Sequence, residues 1–148
     1  MTTRVVRSLA DVDPVQWNAL ASGGEPFLRH EFLLALEESG CAAPDTGWDA
    51  HHLLHFDAMG TLDGAMPLYL KSHSWGEFVF DFAWAEAYHR AGMRYYPRLV
   101  CAVPFTPATG PRVLARSEQL RGELVAAARE LARELRVSSL HVLFPAAG

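Results

Sequence analysis

The sequence lacks the features that mark several classes of protein. It has only two cysteines, Cys41 and Cys101, so a disulfide framework is excluded and reduced thiols are expected. Its 13 Lys and Arg residues are scattered and its net charge is −4, which excludes the clustered basic footprint of a nucleic-acid-binding surface. No apolar run approaches the length of a membrane span, and arginines at 4 and 7 interrupt the first apolar stretch. We therefore expect a cytoplasmic protein with no membrane span.

Aromatic residues are concentrated in one part of the chain. The stretch from 64 to 112 holds all four Tyr residues, with single charges set among them. Tyr and Trp are favoured where an apolar wall must also present a hydrogen-bonding edge, as in a ligand site. With 148 residues, the chain is long enough for one domain with a core, and we expect residues 1–148 to form it.

Hydrophobic periodicity and turn residues predict alternating strands and helices. Extended segments are predicted at residues 4–9, 51–57, 65–72, 77–82, 98–103 and 139–144. Helices are predicted to begin at Asp13-Pro14 and end at residues 22–24, and to cover residues 30–39, 83–91 and about 118–136.

This order predicts an α/β (α+β) fold, with a mixed, mostly antiparallel central sheet flanked by helices. Middle hairpins and a long crossover helix near the end are the basis for that prediction. Pro67 falls inside a predicted strand, which favours an edge position or a bulge there.

Several segments carry a resemblance to a known family. They are Pro-Phe-Leu-Arg-His-Glu-Phe (26–32), Leu-Glu-Glu-Ser-Gly (36–40), Gly-Ala-Met-Pro-Leu-Tyr-Leu-Lys-Ser-His-Ser (64–74), Tyr-Tyr-Pro (95–97), Val-Pro-Phe-Thr-Pro-Ala-Thr-Gly-Pro-Arg (103–112) and Ser-Ser-Leu-His-Val-Leu-Phe (138–144). Together they resemble the bacterial peptidoglycan biosynthesis or recognition proteins, which are related to Fem-type aminoacyltransferases. The element order likewise resembles the first part of the acyl-CoA N-acyltransferase (GNAT) fold.

The resemblance implies transfer of an acyl group to an amine, with an acyl-CoA or aminoacyl donor and a muropeptide-like substrate. Compared with that family, the closing helix, the last two strands and the second half are missing, so the chain is expected to be a partial domain. Its last strand would then leave an unpaired edge, and we expect self-association there.

The aromatic stretch supplies the candidate substrate-binding and catalytic residues. Asp81 lies among apolar rings, which favours a raised pKa and a role as general base; the alternative is that it caps the following helix. A substrate wall, or equally a core cluster, could be formed by Trp84, Tyr88, Tyr95 and Tyr96. The same region is flanked by Lys71, His73 and Glu77, which could hold a polar substrate or simply be solvated.

The loop before the long helix is the candidate donor site. By the resemblance, Thr109, Gly110 and Arg112 would hold the coenzyme A pyrophosphate, or another anion through the guanidinium. Pro107 and Pro111 remove two N–H donors from the loop, which favours a rigid surface turn instead.

Three histidines, at 51, 52 and 55, suggest a metal site, but their spacing along a strand is too wide for one. Along a strand His51 and His55 would lie about 13 Å apart, too far for one ion. We expect no metal site, and half-exposed strand histidines instead.

Two hypotheses about function follow. The chain is an acyl- or aminoacyltransferase-like domain, or it is a non-catalytic recognition module that retains the groove without the donor machinery.

Overall fold

The computed structural model describes residues 1–21, 23, 25–78 and 81–146. Its strands are β1 (Thr2–Val6), β2 (Trp48–Ala50), β3 (His52–Phe56), β4 (Leu62–Met66), β5 (Leu68–Lys71), β6 (Arg98–Cys101), β7 (Leu114–Ala115) and β8 (Leu140–Val142). Its α-helices are α1 (Pro14–Leu20), α2 (His30–Glu38), α3 (Phe82–Arg90) and α4 (Glu118–Glu134). Three short 3-10 helices cover Leu9–Asp11, Pro26–Leu28 and Pro44–Thr46. Among the described residues, no helix combines the length and apolar character needed to cross a bilayer.

The strands form two four-stranded sheets, with the orders β1-β3-β4-β7 and β2-β5-β6-β8. All the strand pairs are antiparallel except β6 and β8, which run parallel. The mixed, mostly antiparallel α+β class predicted from the sequence is confirmed. The strands do not form a single central sheet, because one long hairpin contributes β3 and β4 to the first sheet and β2 and β5 to the second.

The division falls at His51 and Pro67. His51 separates β2 from β3, Pro67 separates β4 from β5, and the His51 N–H donates to Leu68 O at 2.9 Å across the break. Proline has no N–H to continue the ladder, so the strand leaves one sheet and enters the other at Pro67. The predicted edge position is wrong, because β4 and β5 each lie between two partner strands.

Helix α4 begins and packs as its sequence predicts. The Ser117 hydroxyl accepts a hydrogen bond from Leu120 N at 3.1 Å, which caps the first turn. Leu120, Leu124, Ala128 and Leu131 form its buried stripe. β4 lies so close beneath it that a Cβ at Gly64 would stand 2.9 Å from Leu124 Cδ1, so a side chain there would push the helix away.

Helix α1 also begins as predicted. Asp13 accepts from Val15 N and Gln16 N, and Pro14 occupies the first helical turn. The predicted stop at 22–24 includes Ser22 and Gly24, which lie outside the described residues.

Other predicted elements differ from the structure. The first strand ends at Val6, and Leu9 begins a 3-10 helix instead. Strands β2 and β7 are short and were not predicted. The predicted strand over 77–82 is wrong in its described part: Phe78 has φ of 60° and Phe82 begins α3. Val79 and Phe80 of that stretch lie outside the described residues.

Strand β8 lies at the end of the second sheet, as the sequence led us to expect. It pairs only with β6 among the described strands, through Leu99↔Leu140, Val100↔His141 and Cys101↔Val142. The beginning of β6 and the end of β5 bring together Arg98 and Lys71, two residues of the candidate site.

Candidate functional site

Two buried cations lie side by side on adjacent strands of the second sheet. The register of β5 and β6 pairs Lys71 with Arg98, and both residues have no exposed surface. A buried cation costs several kcal/mol unless it is paired, so each requires a carboxylate nearby.

Two carboxylates from the segment after β5 provide this pairing. Arg98 Nη2 donates to Glu77 Oε1, while Arg98 Nη1 lies 2.6 Å from Asp81 Oδ2. The second oxygen of Glu77 lies 4.0 Å from Lys71 Nζ. The four charges balance, and the contacts tie Glu77 and Asp81 to the sheet.

Tyr95 and Tyr96 complete the network around Asp81. The Tyr95 hydroxyl donates to Asp81 Oδ2 at 2.5 Å and the Tyr96 hydroxyl to Oδ1 at 3.2 Å. Arg98 Nη1 also donates to Tyr95 Oη at 3.0 Å. Tyr88 of α3 packs edge-on against Tyr95, with ring centroids 5.0 Å apart. The structure thus brings Asp81, Tyr88, Tyr95 and Tyr96 together, with Tyr95 buried and Tyr88 and Tyr96 half-buried.

Asp81 shows neither the raised pKa nor the side-chain capping of α3 that the sequence suggested. Burial raises its pKa, but hydrogen bonds from Tyr95 and Tyr96 and the charge of Arg98 outweigh that effect, so the pKa lies below its usual value. A raised pKa was therefore the wrong expectation. Asp81 holds the N-cap position of α3, yet its side chain makes no capping hydrogen bond.

The strongest perturbations lie instead on Lys71 and Glu77. Lys71 Nζ sits 3.7 Å from the centroid of the Trp48 ring and donates to Trp75 O at 2.9 Å. Burial lowers the pKa of Lys71 to about 8. Burial raises the pKa of Glu77 to about 7, against the opposing charges of Arg98 and Lys71. Two titratable groups displaced toward neutral pH within one cluster are a common mark of a functional site.

An exposed aromatic surface surrounds this cluster. We use the name aromatic face for four side chains that are 51–66% exposed: Trp75, Phe78, Phe82 and Trp84. The Trp75 and Phe82 rings lie 6.1 Å apart, and α3 buries none of its residues. Aromatic residues exposed this way form a surface suited to stacking on a sugar or a peptide.

His73 belongs to the same region but contacts other residues. Its Nδ1 accepts from Trp75 N at 3.2 Å, and its ring covers Gly47 so closely that a Cβ there would lie 2.4 Å from Nε2. Burial, together with the charge of Lys71, lowers the pKa of His73. It therefore remains neutral near pH 7 and supports the turn at residues 73–77.

The predicted donor loop lies on a different part of the sheet, at the far ends of β6 and β8. Arg112 is buried, and its guanidinium donates to three backbone carbonyls: Leu143 O at 2.8 Å, Pro111 O at 3.1 Å and Ala108 O at 2.6 Å. Gly110 N donates to Phe144 O at 3.1 Å, and Thr109 is exposed.

These contacts show that the loop does not fit a pyrophosphate. Arg112 is occupied in holding the loop, and the N–H of Gly110 is paired within the sheet edge. With Pro107 and Pro111 lacking N–H groups, few donors remain to cradle phosphate oxygens. Three of the five N–H groups of the Arg112 guanidinium are committed to backbone carbonyls, and we derive no step through coenzyme A.

The three histidines of the hairpin are buried rather than half-exposed. His55 Nδ1 lies 2.5 Å from Asp63 Oδ1, and His51 Nδ1 lies 3.1 Å from Asp49 O. His52 is packed against Trp17 and Tyr69, with Nε2 3.6 Å from Glu37 Oε1. Each histidine therefore has its own separate surroundings. No group of metal-ligating side chains is present among residues 1–21, 23, 25–78 and 81–146.

Arg98 is the site residue that the sequence pattern concealed. It lies at the start of the extended segment predicted at residues 98–103. A cation at such a position is itself a signal, because it predicts buried carboxylate partners.

A cleft of about 420 Å³ also exists at the other end of the hairpin, lined by residues that include Arg4 and Phe56, and it shares no residue with the charge cluster.

The fold and the site define a mixed α+β protein with a buried charge cluster beneath an exposed aromatic surface. The sequence profile of the FemAB-like family, described as peptidoglycan biosynthesis/recognition, matches residues 8–148. The chain belongs to this family, as the resemblance of its segments predicted.

Other comparisons add little. No curated protein matches the chain. Among solved structures, a mutant of the BH1408 protein from Bacillus halodurans is similar at 9% identity and a TM-score of 0.45, covering 96% of this chain and 81% of that one.

Proposed function

We propose that this chain transfers an acyl group to an amine of a peptidoglycan-related acceptor. Membership of a peptidoglycan biosynthesis/recognition family supports the kind of acceptor. The observation that carries the proposal is the Lys71–Glu77 pair, a carboxylate with a pKa of about 7 beside a lysine with a pKa of about 8. A general base is most effective when its pKa lies near the working pH.

The chemistry assigns a separate role to each carboxylate. Glu77 takes a proton from the ammonium group of the acceptor, and the freed nitrogen lone pair attacks the acyl carbonyl of an activated ester or thioester. The new C–N bond forms as the bond to the leaving oxygen or sulfur breaks, and the leaving group takes up a proton. Asp81, whose pKa is lowered, stays ionised and keeps Tyr95 and Tyr96 in place.

The proposal requires the turn over the cluster to move. The side chains of Lys71 and Glu77 have no exposed surface. Glu77 belongs to the turn at residues 75–78, and Lys71 Nζ donates to the Trp75 carbonyl of the same turn. Trp75 and Phe78 of the aromatic face belong to this turn, so an acceptor stacked on them can displace it. Catalytic contacts that are closed in a free enzyme commonly form only in the substrate complex.

The test compares Glu77→Gln with Glu86→Gln, a control at an exposed position of α3, where Glu86 pairs with Arg90. Each variant is incubated with an amine-bearing muropeptide and a panel of activated acyl donors, and products are measured by mass spectrometry. We expect E77Q to lose transfer by about 100-fold or more while muropeptide binding persists. Equal rates for E77Q and wild type would sink the proposal.

A second function, recognition without transfer, is favoured by the state of the predicted donor loop. Three N–H groups of Arg112 are paired with backbone carbonyls of the loop and its neighbour, whereas the aromatic face is exposed. Calorimetry with muropeptides then gives binding, no donor yields product, and Trp84→Ala weakens binding about 10-fold. Met59→Ala is the control, since Met59 is 90% exposed on the distant hairpin turn.

We also propose that β8 mediates self-association. An unpaired strand edge favours pairing with another chain, and β8 lies at the end of its sheet. Sedimentation of wild type and of a Val142→Lys variant tests this, because Val142 is 40% exposed on that edge. We expect a concentration-dependent dimer that the lysine weakens; a wild-type monomer at high micromolar concentration contradicts it.

A further inference from the structure

Ser139 and His141 form a hydroxyl–imidazole pair that neither the sequence motifs nor the family description assigns. Ser139 Oγ lies 2.8 Å from His141 Nε2, the distance of a direct hydrogen bond. Both residues are half-buried, so each keeps some access to solvent, in contrast to the enclosed Lys71 and Glu77. A nucleophile within hydrogen-bond reach of a base is the minimal arrangement for covalent catalysis.

The sheet register places this pair beside the charge cluster. β6 and β8 pair Val100 with His141, and Leu99 N donates to Ser139 O at 3.0 Å, which sets Ser139 next to Arg98. Because side chains alternate along a strand, Ser139 and His141 project from the same sheet face as Arg98 and its partner Lys71. The half-buried Ser139 hydroxyl thus lies beside Arg98 of the charge cluster.

We propose that Ser139 is a nucleophile, with His141 as its general base, that accepts the acyl group from an activated ester or thioester. The imidazole, carrying its proton on Nδ1, takes the hydroxyl proton at Nε2 as Oγ attacks the acyl carbonyl. A C–O bond to Ser139 forms, the bond to the leaving group breaks, and His141 returns the proton to that group. The amine of the acceptor then attacks the acyl-serine, forms the amide and restores the hydroxyl.

The surroundings of His141 suit a base. Burial, reinforced by the positive charge of Arg98, lowers the pKa of His141, while Asp81 opposes the effect. The imidazole is therefore neutral near pH 7, and in the tautomer with its proton on Nδ1 the Nε2 atom accepts the proton of Ser139.

The neighbouring Ser138 provides a contrast within the same chain. Its hydroxyl donates to the backbone oxygen of Tyr95, and its Oγ lies 3.3 Å from that of Ser139. The Ser138 hydroxyl donates to a carbonyl, which cannot remove its proton, whereas the Ser139 hydroxyl lies within hydrogen-bond distance of an imidazole nitrogen, which can. Ser138→Ala is therefore a matched control for Ser139→Ala.

Reactivity is tested with a fluorophosphonate probe and with p-nitrophenyl acetate, followed by intact-mass and peptide mass spectrometry. We expect one adduct, on Ser139, formed at unchanged rate in S138A, absent in S139A, and slowed about 100-fold in His141→Gln. Circular dichroism and thermal unfolding establish that each variant is folded. Equal labelling of S139A, or no labelling of folded wild type under conditions that label a serine hydrolase, would overturn the inference.

The acyl-serine step rests on the proposed acyl transfer for its acceptor, but the reactivity of Ser139 does not. If S139A keeps wild-type transfer while E77Q loses it, the covalent step is wrong and the proposed function stands. If Ser139 is labelled but no amine product forms with any donor, the nucleophile stands and the proposed function fails.

Discussion

Arg98 Nη1 lies 2.6 Å from Asp81 Oδ2, and this contact joins a strand of the second sheet to the first turn of an exposed helix. Arg98 has no exposed surface, and the side chain of Asp81 is only 9% exposed. The ion pair, with its tyrosine hydrogen bonds, is thus a principal link between α3 and the sheet.

Replacing Asp81 with Asn should destabilise the protein by about 3 kcal/mol. The change removes one partner of a buried cation, which leaves Arg98 partly uncompensated. Denaturant unfolding measures the free energy of unfolding, with Asp45→Asn, an exposed residue, as the control. A loss below about 1 kcal/mol would show that Glu77 alone satisfies Arg98.

The Lys71–Glu77 pair should give stability a characteristic pH dependence. The pKa of Glu77 is raised from 4.5 to about 7, so between these values the folded chain binds more protons than the unfolded chain. Stability from Glu77 is therefore fully present below about pH 4.5 and declines as the pH rises to 7. The pKa of Lys71 is lowered from 10.5 to about 8, so between these values the unfolded chain binds more protons than the folded chain. The contribution of Lys71 therefore makes stability rise from about pH 8 to 10.5.

The measurement is the slope of unfolding free energy against pH for wild type, Glu77→Gln and Lys71→Met. We expect E77Q to lack the decline between about 4.5 and 7, and K71M to lack the rise above about 8. Comparing slopes removes any uniform destabilisation that either variant carries. Parallel curves for wild type and E77Q would mean that Glu77 titrates at its ordinary value.

Gly76 should tolerate alanine less well than Gly60. Both have positive φ, 83° and 79°, so both variants carry the backbone strain of about 1 kcal/mol or more. At Gly76 the added Cβ would also lie 2.6 Å from the Phe105 ring and 2.9 Å from Trp48 Nε1, while at Gly60 the space is open. We expect G76A to cost at least about 1 kcal/mol more than G60A in thermal or denaturant unfolding. Equal losses would contradict the close packing of this turn.

Arg112 should act on stability rather than on anion affinity. Its three hydrogen bonds to carbonyls fix the loop against the end of β8, and hydrogen bonds from a charged donor are worth about 1.5–3 kcal/mol each before relaxation. Arg112→Met should therefore cost about 3 kcal/mol, whereas Arg116→Met, at an exposed position, should be near neutral. Binding of inorganic pyrophosphate to wild type that R112M abolishes without unfolding would contradict this role.

Much of the scaffold follows from local sequence. Asp13-Pro14 and Ser117 mark helix starts that the structure confirms, because a cap is a contact between residues two or three apart. The leucine spacing of α4 likewise fixes its buried face. The strand predicted at residues 77–82 rested on phenylalanines at 78, 80 and 82, a period of two that predicts a strand whatever the tertiary neighbours are. The side chains of Phe78 and Phe82 are exposed instead.

By itself, the sequence determined the α+β class, the helix starts and the aromatic stretch in which the site lies, because these depend on periodicity and on contacts between near neighbours. Only the tertiary structure decided that Pro67 divides the hairpin between two sheets and that Arg98 meets Glu77 and Asp81, 21 and 17 positions away. It alone reversed the expected pKa of Asp81 and moved the perturbed groups to Lys71 and Glu77. Burial and charge pairing set a pKa, and both arise only when distant segments pack together.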